Sequence, residues 1–301
     1  MAVPAPTATD TRRGLLLGTL GVVFFAMTLP MTRLAVGDAA DPQLPPAFVT
    51  AGRAAVAGLL SAAWLLATRA ALPARRHWPA LALSGLGTVI GFPLFLALAL
   101  RRVDAMHAAV VTGVLPLGTA IVAAFALRQR PSNGFWACAL LGCALVLAYA
   151  AWSGSGTLTA GDGLLMGAVL STSVAYVAGA RVAASLPAEQ VICWILAAAL
   201  PLTLPAALWL APTAPARASS WLGFAYVSVF SMWLGFFAWY RGLALGGVVR
   251  VSQVQLLQPF LALLFAVPVL GERLDPLSMI FALAVMAVVF VGRKMPAARP
   301  T

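Results

Sequence analysis

Charge is what this chain has least of. Only 9% of its 301 residues are Asp, Glu, Lys or Arg, against roughly 25% in a soluble domain, while 62% are hydrophobic. Such a composition excludes a water-soluble globule. Acids are the scarcest charges: Asp10, Asp38, Asp41, Asp104, Asp162, Glu189, Glu272 and Asp275, none in the central part of an apolar run. Proton-coupled pumps rely on intramembrane acid or histidine relays, so strict proton antiport of cations is not expected. The cysteines Cys138, Cys143 and Cys193 lie inside apolar runs. They lack metal-ligand spacing or a neighbouring His, and read as small packing residues. There is no His-Glu-x-x-His, no nucleophile elbow and no carboxylate pair at mid-membrane. No catalysis, metal or cofactor is expected.

What the chain has in abundance is apolar length. A bilayer core needs about 20 apolar residues per helix, and ten such runs can be read: 14–36, 46–68, 78–100, 105–126, 133–151, 161–183, 187–211, 218–240, 248–269 and 275–292. The expected fold is an all-α integral membrane protein. The first run is too long for a signal-peptide core of about 7–15 residues and reads as a retained span. Residues 1–13 read as a short disordered cytoplasmic tail and 293–301 as a second tail.

With the N-terminus inside, Arg12, Arg13, Arg69, Arg75, Arg76, Arg128, Arg130, Arg181, Arg241, Arg250, Arg293, Lys294 and Arg299 fall on the cytoplasmic side. Arg101, Arg102, Arg217 and Arg273 fall outside. This positive-inside bias places both termini in the cytoplasm of an inner-membrane protein. The net charge of +11 is spread over loops between spans, which excludes a nucleic-acid partner.

The chain also repeats itself. Gly14-Leu15-Leu16-Leu17-Gly18 returns as Gly163-Leu164-Leu165-Met166-Gly167, Ser84 with Gly91-Phe92 returns as Ser228 with Gly235-Phe236, and Pro116 returns as Pro259. The alignment divides the chain into repeats 14–151 and 161–292, five spans each. An odd number of spans inverts the second repeat, the arrangement of secondary transporters with a site near the midplane.

Helical wheels at about 100° per residue suggest which faces line that site. In span three Ser84, Gly87, Thr88, Gly91 and Phe95 share a face, matched in span eight by Ser228, Ser231, Met232, Gly235 and Trp239. Each face suits a cavity wall or tight helix packing. Proline inside a helix frees the carbonyl four residues earlier: Thr112 for Pro116, Gln255 for Pro259. Ser252, Gln255 and Pro259 share a face with Gln258 on its flank, against Ala109, Thr112 and Pro116 in span four. Such kinks suit a cavity or a packing bend. Span one offers Met27 and span six Thr172 and Tyr176, fitting either an apolar or aromatic substrate group or the core. His107 and Arg250 sit at equivalent positions and read as helix-end partners or as coupling or gating cations. Arg53, inside span two, suits pairing with a loop acid or a helix C-terminus, or else a substrate carboxylate.

These residues together resemble the drug/metabolite transporter superfamily, as two tandem EamA-type domains. Thr50-Ala51-Gly52-Arg53-Ala54-Ala55 looks like the family's second-span arginine, Pro116 and Pro259 match its prolines, and Gly271-Glu272-Arg273-Leu274 matches the Gly-Glu signature closing span nine. The first repeat carries Arg128-Gln129-Arg130 instead, so a structural glutamate can come only from Glu272. Within the superfamily the chain looks most like YddG-type exporters of aromatic amino acids. The resemblance implies ten helices, with spans 1, 3, 4, 6, 8 and 9 around a central cavity.

The function expected is export of small zwitterionic metabolites, neutral or aromatic amino acids, by alternating access. Export of apolar drugs or other neutral metabolites, a non-transporting receptor or scaffold, and a channel are the rivals. The partners expected are an amino-acid-like substrate and the lipid bilayer, with the protein a monomer.

Overall fold

The structure, a computed structural model, describes residues 8–126, 130–153, 158–183, 186–246, 251–294 and 297–298. Among the described residues its regular elements are helices, apart from a two-residue antiparallel pairing of Arg130–Pro131 with Ala297–Ala298 and an isolated bridge of Gly37 with Pro42. Eight helices are long and apolar enough to cross a membrane, and two shorter apolar helices follow, Val254–Leu270 and Pro276–Gly292.

The helices are α1 (Ala8–Ala26), α2 (Thr28–Val36), α3 (Pro46–Ala67), α4 (Trp78–Gly85), α5 (Phe92–Leu100), α6 (Ala105–Thr112) and α7 (Leu115–Ala126). Then come α8 (Asn133–Ser153), α9 (Ala160–Ala183), α10 (Ala188–Trp209), α11 (Ala218–Tyr226), α12 (Gly235–Gly246), α13 (Gln258–Leu270) and α14 (Pro276–Lys294). α1 begins inside the stretch read as a disordered tail; Asp10 in its first turn favours a helix start through the N-terminal dipole.

Five apolar runs are interrupted, four of them shortly before a proline. α1 gives way to α2 at Met27, just after Ala26, whose carbonyl Pro30 would crowd. α6 ends at Thr112 and α7 resumes at Leu115, placing Pro116 in a first turn, where its missing N–H costs nothing. α13 starts at Gln258 with Pro259 likewise in its first turn, after a 3₁₀ stretch Ser252–Leu257. A π turn, Leu86–Gly91, joins α4 to α5 just before Pro93. The fifth interruption lacks a proline: a π turn, Val227–Leu234, joins α11 to α12. In both π turns an N–H reaches back five residues, from Phe92 to Gly87 and from Gly235 to Phe230.

Packing pairs the first half of the chain with the second. α3 lies along α10, α1 along α12, α2 against α11 and α13, and α8 against α14, while α9 packs on α4, α5 and α7. Small residues set the closest approaches. A Cβ on Gly242 would stand 2.6 Å from the Gly18 nitrogen, and one on Gly87 2.3 Å from the Ser171 carbonyl. Gly14, Gly18 and Gly21 therefore act as a close-contact stripe; of their counterparts, Gly167 meets Phe95 and Gly163 has nothing within 4 Å. Outward faces carry large apolar residues such as Leu66, Leu140, Leu202 and Ile280, as lipid requires.

Candidate functional site

Where the interrupted helices converge, two chambers lie side by side and share Phe92, Leu115 and Gln258 as a partition. The first, about 50 Å³, is walled by Arg53, Thr28, Thr88, Thr172, Tyr176 and Ser231, with Phe25, Met232 and Phe236. The second, about 40 Å³, is walled by Thr112, Gln255, Pro116 and Pro259, with Leu29, Leu256 and Met286. Each holds a few waters at most and must widen to take a metabolite. Among the described residues, no acid lines either chamber.

Arg53 is the one charge among the described residues of the first chamber's wall. It is 3% exposed. Its Nη2 donates to Ser231 Oγ at 2.9 Å, and its Nε–H is buried without a hydrogen-bond partner. The Thr28 O–H donates to the Phe24 carbonyl at 3.3 Å, which leaves the Ser231 O–H to donate to Thr28 Oγ1 at 2.8 Å. The π turn carries Ser231 into this chain. The loop acid or helix C-terminus expected beside Arg53 is not its partner.

The two proline-broken spans supply the second chamber differently. The Thr112 O–H donates back to the Ala108 carbonyl at 2.7 Å. The Gln255 carbonyl, expected to be freed by Pro259, accepts the Gln258 N–H across the 3₁₀ turn. Tightening the turn replaces the lost bond, so the Gln255 amide side chain, rather than its carbonyl, is what the break adds to the wall.

Other expected wall residues lie elsewhere. Ser84 packs on α9, where a Cβ on Gly179 would come within 2.9 Å of its Oγ. The Ser228 O–H donates to the Phe224 carbonyl at 2.6 Å within its own helix. Trp239 packs along α1, its nitrogen 2.9 Å from where a Gly21 Cβ would stand. Met27 occupies the α1–α2 junction and lines neither chamber. Arg250 and the side chain of Ser252 lie outside the described residues. The wheels passed over Thr28, Phe25, Phe92 and Phe236; Pro30 shortly after Thr28 and the Gly-Phe pair at each π-turn exit were the available signals.

The charges cluster instead at one loop end. Gly271 adopts a left-handed conformation, φ 71°, which ends α13 and turns Glu272 back toward α6. There its two carboxylate oxygens accept the N–H groups of Ala105 at 2.8 Å and Met106 at 2.9 Å, two of the orphan donors of a helix start. Burial pushes the Glu272 carboxyl above its ordinary range, against the lowering pull of those N–H groups. One residue on, His107 Nε2 lies 2.6 Å from Asp162 Oδ1. The other Asp162 oxygen accepts the Thr159 N–H and O–H at 2.8 and 2.7 Å, a capping box that opens α9. Arg33 donates to the carbonyls of Leu100 and Val103 and sits between Asp38 at 3.5 Å and Asp104 at 3.6 Å. Two open cavities of about 310 and 460 Å³ lie among these groups.

The model of the EamA-like transporter family matches two stretches, residues 12–150 and 159–292. A protein of Bacillus subtilis (strain 168), named uncharacterized transporter YdeK, is 40% identical over 292 residues, spanning 94% of this chain and 98% of the relative. A crystal structure of a protein at 21% identity superposes with a TM-score of 0.64, covering 93% of this chain and 96% of its own; that likeness concerns the fold alone.

Proposed function

The chain belongs to the EamA-like transporter family and is a multi-pass membrane transporter; from that premise we propose that it exports small zwitterionic metabolites, neutral or aromatic amino acids, across the inner membrane by alternating access. The observation that carries the reading is the pair of adjoining chambers. They sit where helices from both halves are interrupted, and their walls combine aromatic rings with hydroxyls, amides and one cation. A zwitterion balances its own charge and can be held by such dipoles, whereas a polyanion would need several cations.

In this reading the chain has ten spans, residues 14–151 and 161–292 being inverted repeats with both termini cytoplasmic. The packing of α1 and α2 on α12 and α11, answered by that of α9 on α5 and α4, supports it. So do the two π turns, which recur at aligned positions. One half rocks against the other around the breaks in the α6–α7 and α13 spans. The wall residues Thr88, Thr112, Thr172, Tyr176, Ser231, Gln255 and Gln258 then face substrate. With no acid in the chambers, transport is facilitated and runs down the amino-acid gradient.

Purified protein in liposomes, offered radiolabelled neutral and aromatic amino acids, tests this. Saturable uptake that needs no imposed gradient and stops at equal concentrations is expected. Absence of uptake of every such amino acid would sink the substrate class. Accumulation driven by a proton gradient and lost in His107→Gln would replace the facilitator with a coupled carrier.

A further inference from the structure

We propose that Arg53 is the anchor for the substrate's carboxylate, and Thr172 a receptor for its ammonium group; this deepens the amino-acid reading above and rests on it. A guanidinium presents a planar fork of N–H donors matched to the two oxygens of a carboxylate. Within the chamber wall that fork is nearly idle. One nitrogen serves the Ser231 hydroxyl, and Nε serves nothing. The ion pairs among the described residues join Arg33, His107 and Arg217 to acids and leave Arg53 out. A buried cation without a counter-ion is costly unless something arrives to neutralise it.

The rest of the wall points to the same ligand. Thr172 Oγ1 is also buried without a hydrogen-bond partner, and it lines the same chamber. Two buried polar atoms without a partner thus face the same chamber, although buried polar groups are normally paired. Arg53 can only donate, while a threonine hydroxyl can also accept. Together they answer a carboxylate and an ammonium, with Gln258 on the partition as a further acceptor. Phe25, Phe92, Tyr176 and Phe236 leave an apolar surround for the side chain. A single cation among aromatic rings is too little charge for a phosphate ester and costly for a neutral drug, which would leave the guanidinium unanswered.

The experiment is a thermal-shift titration of the purified full-length protein with four compounds that share one ring: phenylalanine, phenylalaninamide, 3-phenylpropionate and phenethylamine. The wild type is expected to bind phenylalanine at least about ten-fold more tightly than its amide, since losing a charged partner of a buried group costs more than about 1.4 kcal/mol, a factor of ten. This comparison needs no variant, so a misfolded mutant cannot rescue or defeat the idea. In Arg53→Gln the acid should lose its advantage while the amide binds as before, and Arg53→Lys should restore part of it. Thr172→Val should weaken phenylalanine and leave 3-phenylpropionate unchanged. Equal binding of acid and amide by the wild type, or undiminished phenylalanine binding by folded Arg53→Gln, overturns the anchor and leaves the amino-acid reading standing. Arg53-dependent binding of 3-phenylpropionate with no binding of phenylalanine keeps the anchor and overturns the amino-acid reading. If none of the four binds the wild type, both fall.

Discussion

The loop end around Glu272 and the chamber around Arg53 treat charge in opposite ways. At the loop end each group described has an answer: Glu272 has two backbone N–H groups, Asp162 has Thr159 and His107, Arg33 has two carbonyls and two acids. In the chamber Arg53 has one hydroxyl and an idle Nε. Charge that is fully answered holds helices in place; charge left unanswered at the centre is available for a ligand. The loop-end contacts also cross between the halves of the chain, joining residues 105–107 to Glu272 and Asp162.

If that contrast is right, the variants should rank as follows. Asp162→Ala should destabilise most, by about 3–5 kcal/mol, since it strips a buried carboxylate from His107 and from the first turn of α9; a melting temperature in detergent close to wild type would break the contrast at once. Glu272→Ala comes next, at about 1–3 kcal/mol, for two helix-start N–H groups left without acceptors. Arg53→Met should show no loss of stability and even a gain, because an apolar side chain of similar length replaces an unanswered buried cation. A drop as large as that of Asp162→Ala would mean that Arg53 is a structural strut.

Two smaller effects sharpen the picture. Since burial raises the Glu272 carboxyl pKa in the folded protein, its contribution is fully present below the ordinary carboxylate range and is lost as pH rises through the raised value. Wild type should therefore gain on Glu272→Gln in melting temperature as pH falls from 7 toward about 4.5; a difference independent of pH would contradict this. Arg217 and Asp41 form a contact at 2.7 Å in which both side chains are well exposed, so Arg217→Ala should cost under about 1 kcal/mol, at the limit of a calorimetric scan.

The apolar runs were legible in the sequence because lipid imposes length and hydropathy directly, and each of the ten runs has an end within two residues of a described helix end. The breaks beside Pro116 and Pro259 were legible because proline's missing N–H acts locally; those before Pro30 and Pro93 were not read. The π turns were not legible. They depend on what the helix packs against, as Gly87 does on Ser171, and they defeat a wheel drawn at about 100° per residue. A widened turn rotates everything beyond it. Ser84 and Ser228, before or at the turns, face packing, while Thr88 and Ser231 within them reach the chamber. Met27 and Trp239 were misplaced by the same assumption of unbroken helical phase. Thr112, Thr172, Tyr176, Gln255 and Gln258 line the chambers, Thr172 and Tyr176 from the uninterrupted α9.

The hydroxyl chain from Arg53 through Ser231 and Thr28 to the Phe24 carbonyl runs in one sense while Thr28 gives its proton to that carbonyl, because Ser231 must then donate to Thr28. Its far end is the last turn of α1, next to the junction at Met27. A carboxylate that drew Nη2 away from Ser231 would leave that hydroxyl free to reverse, and Thr28 would lose the donor that holds it. Occupancy at the second span would thus be read out as loosened grip at a joint in the first, a message passed by reorienting two protons, with no charge moved.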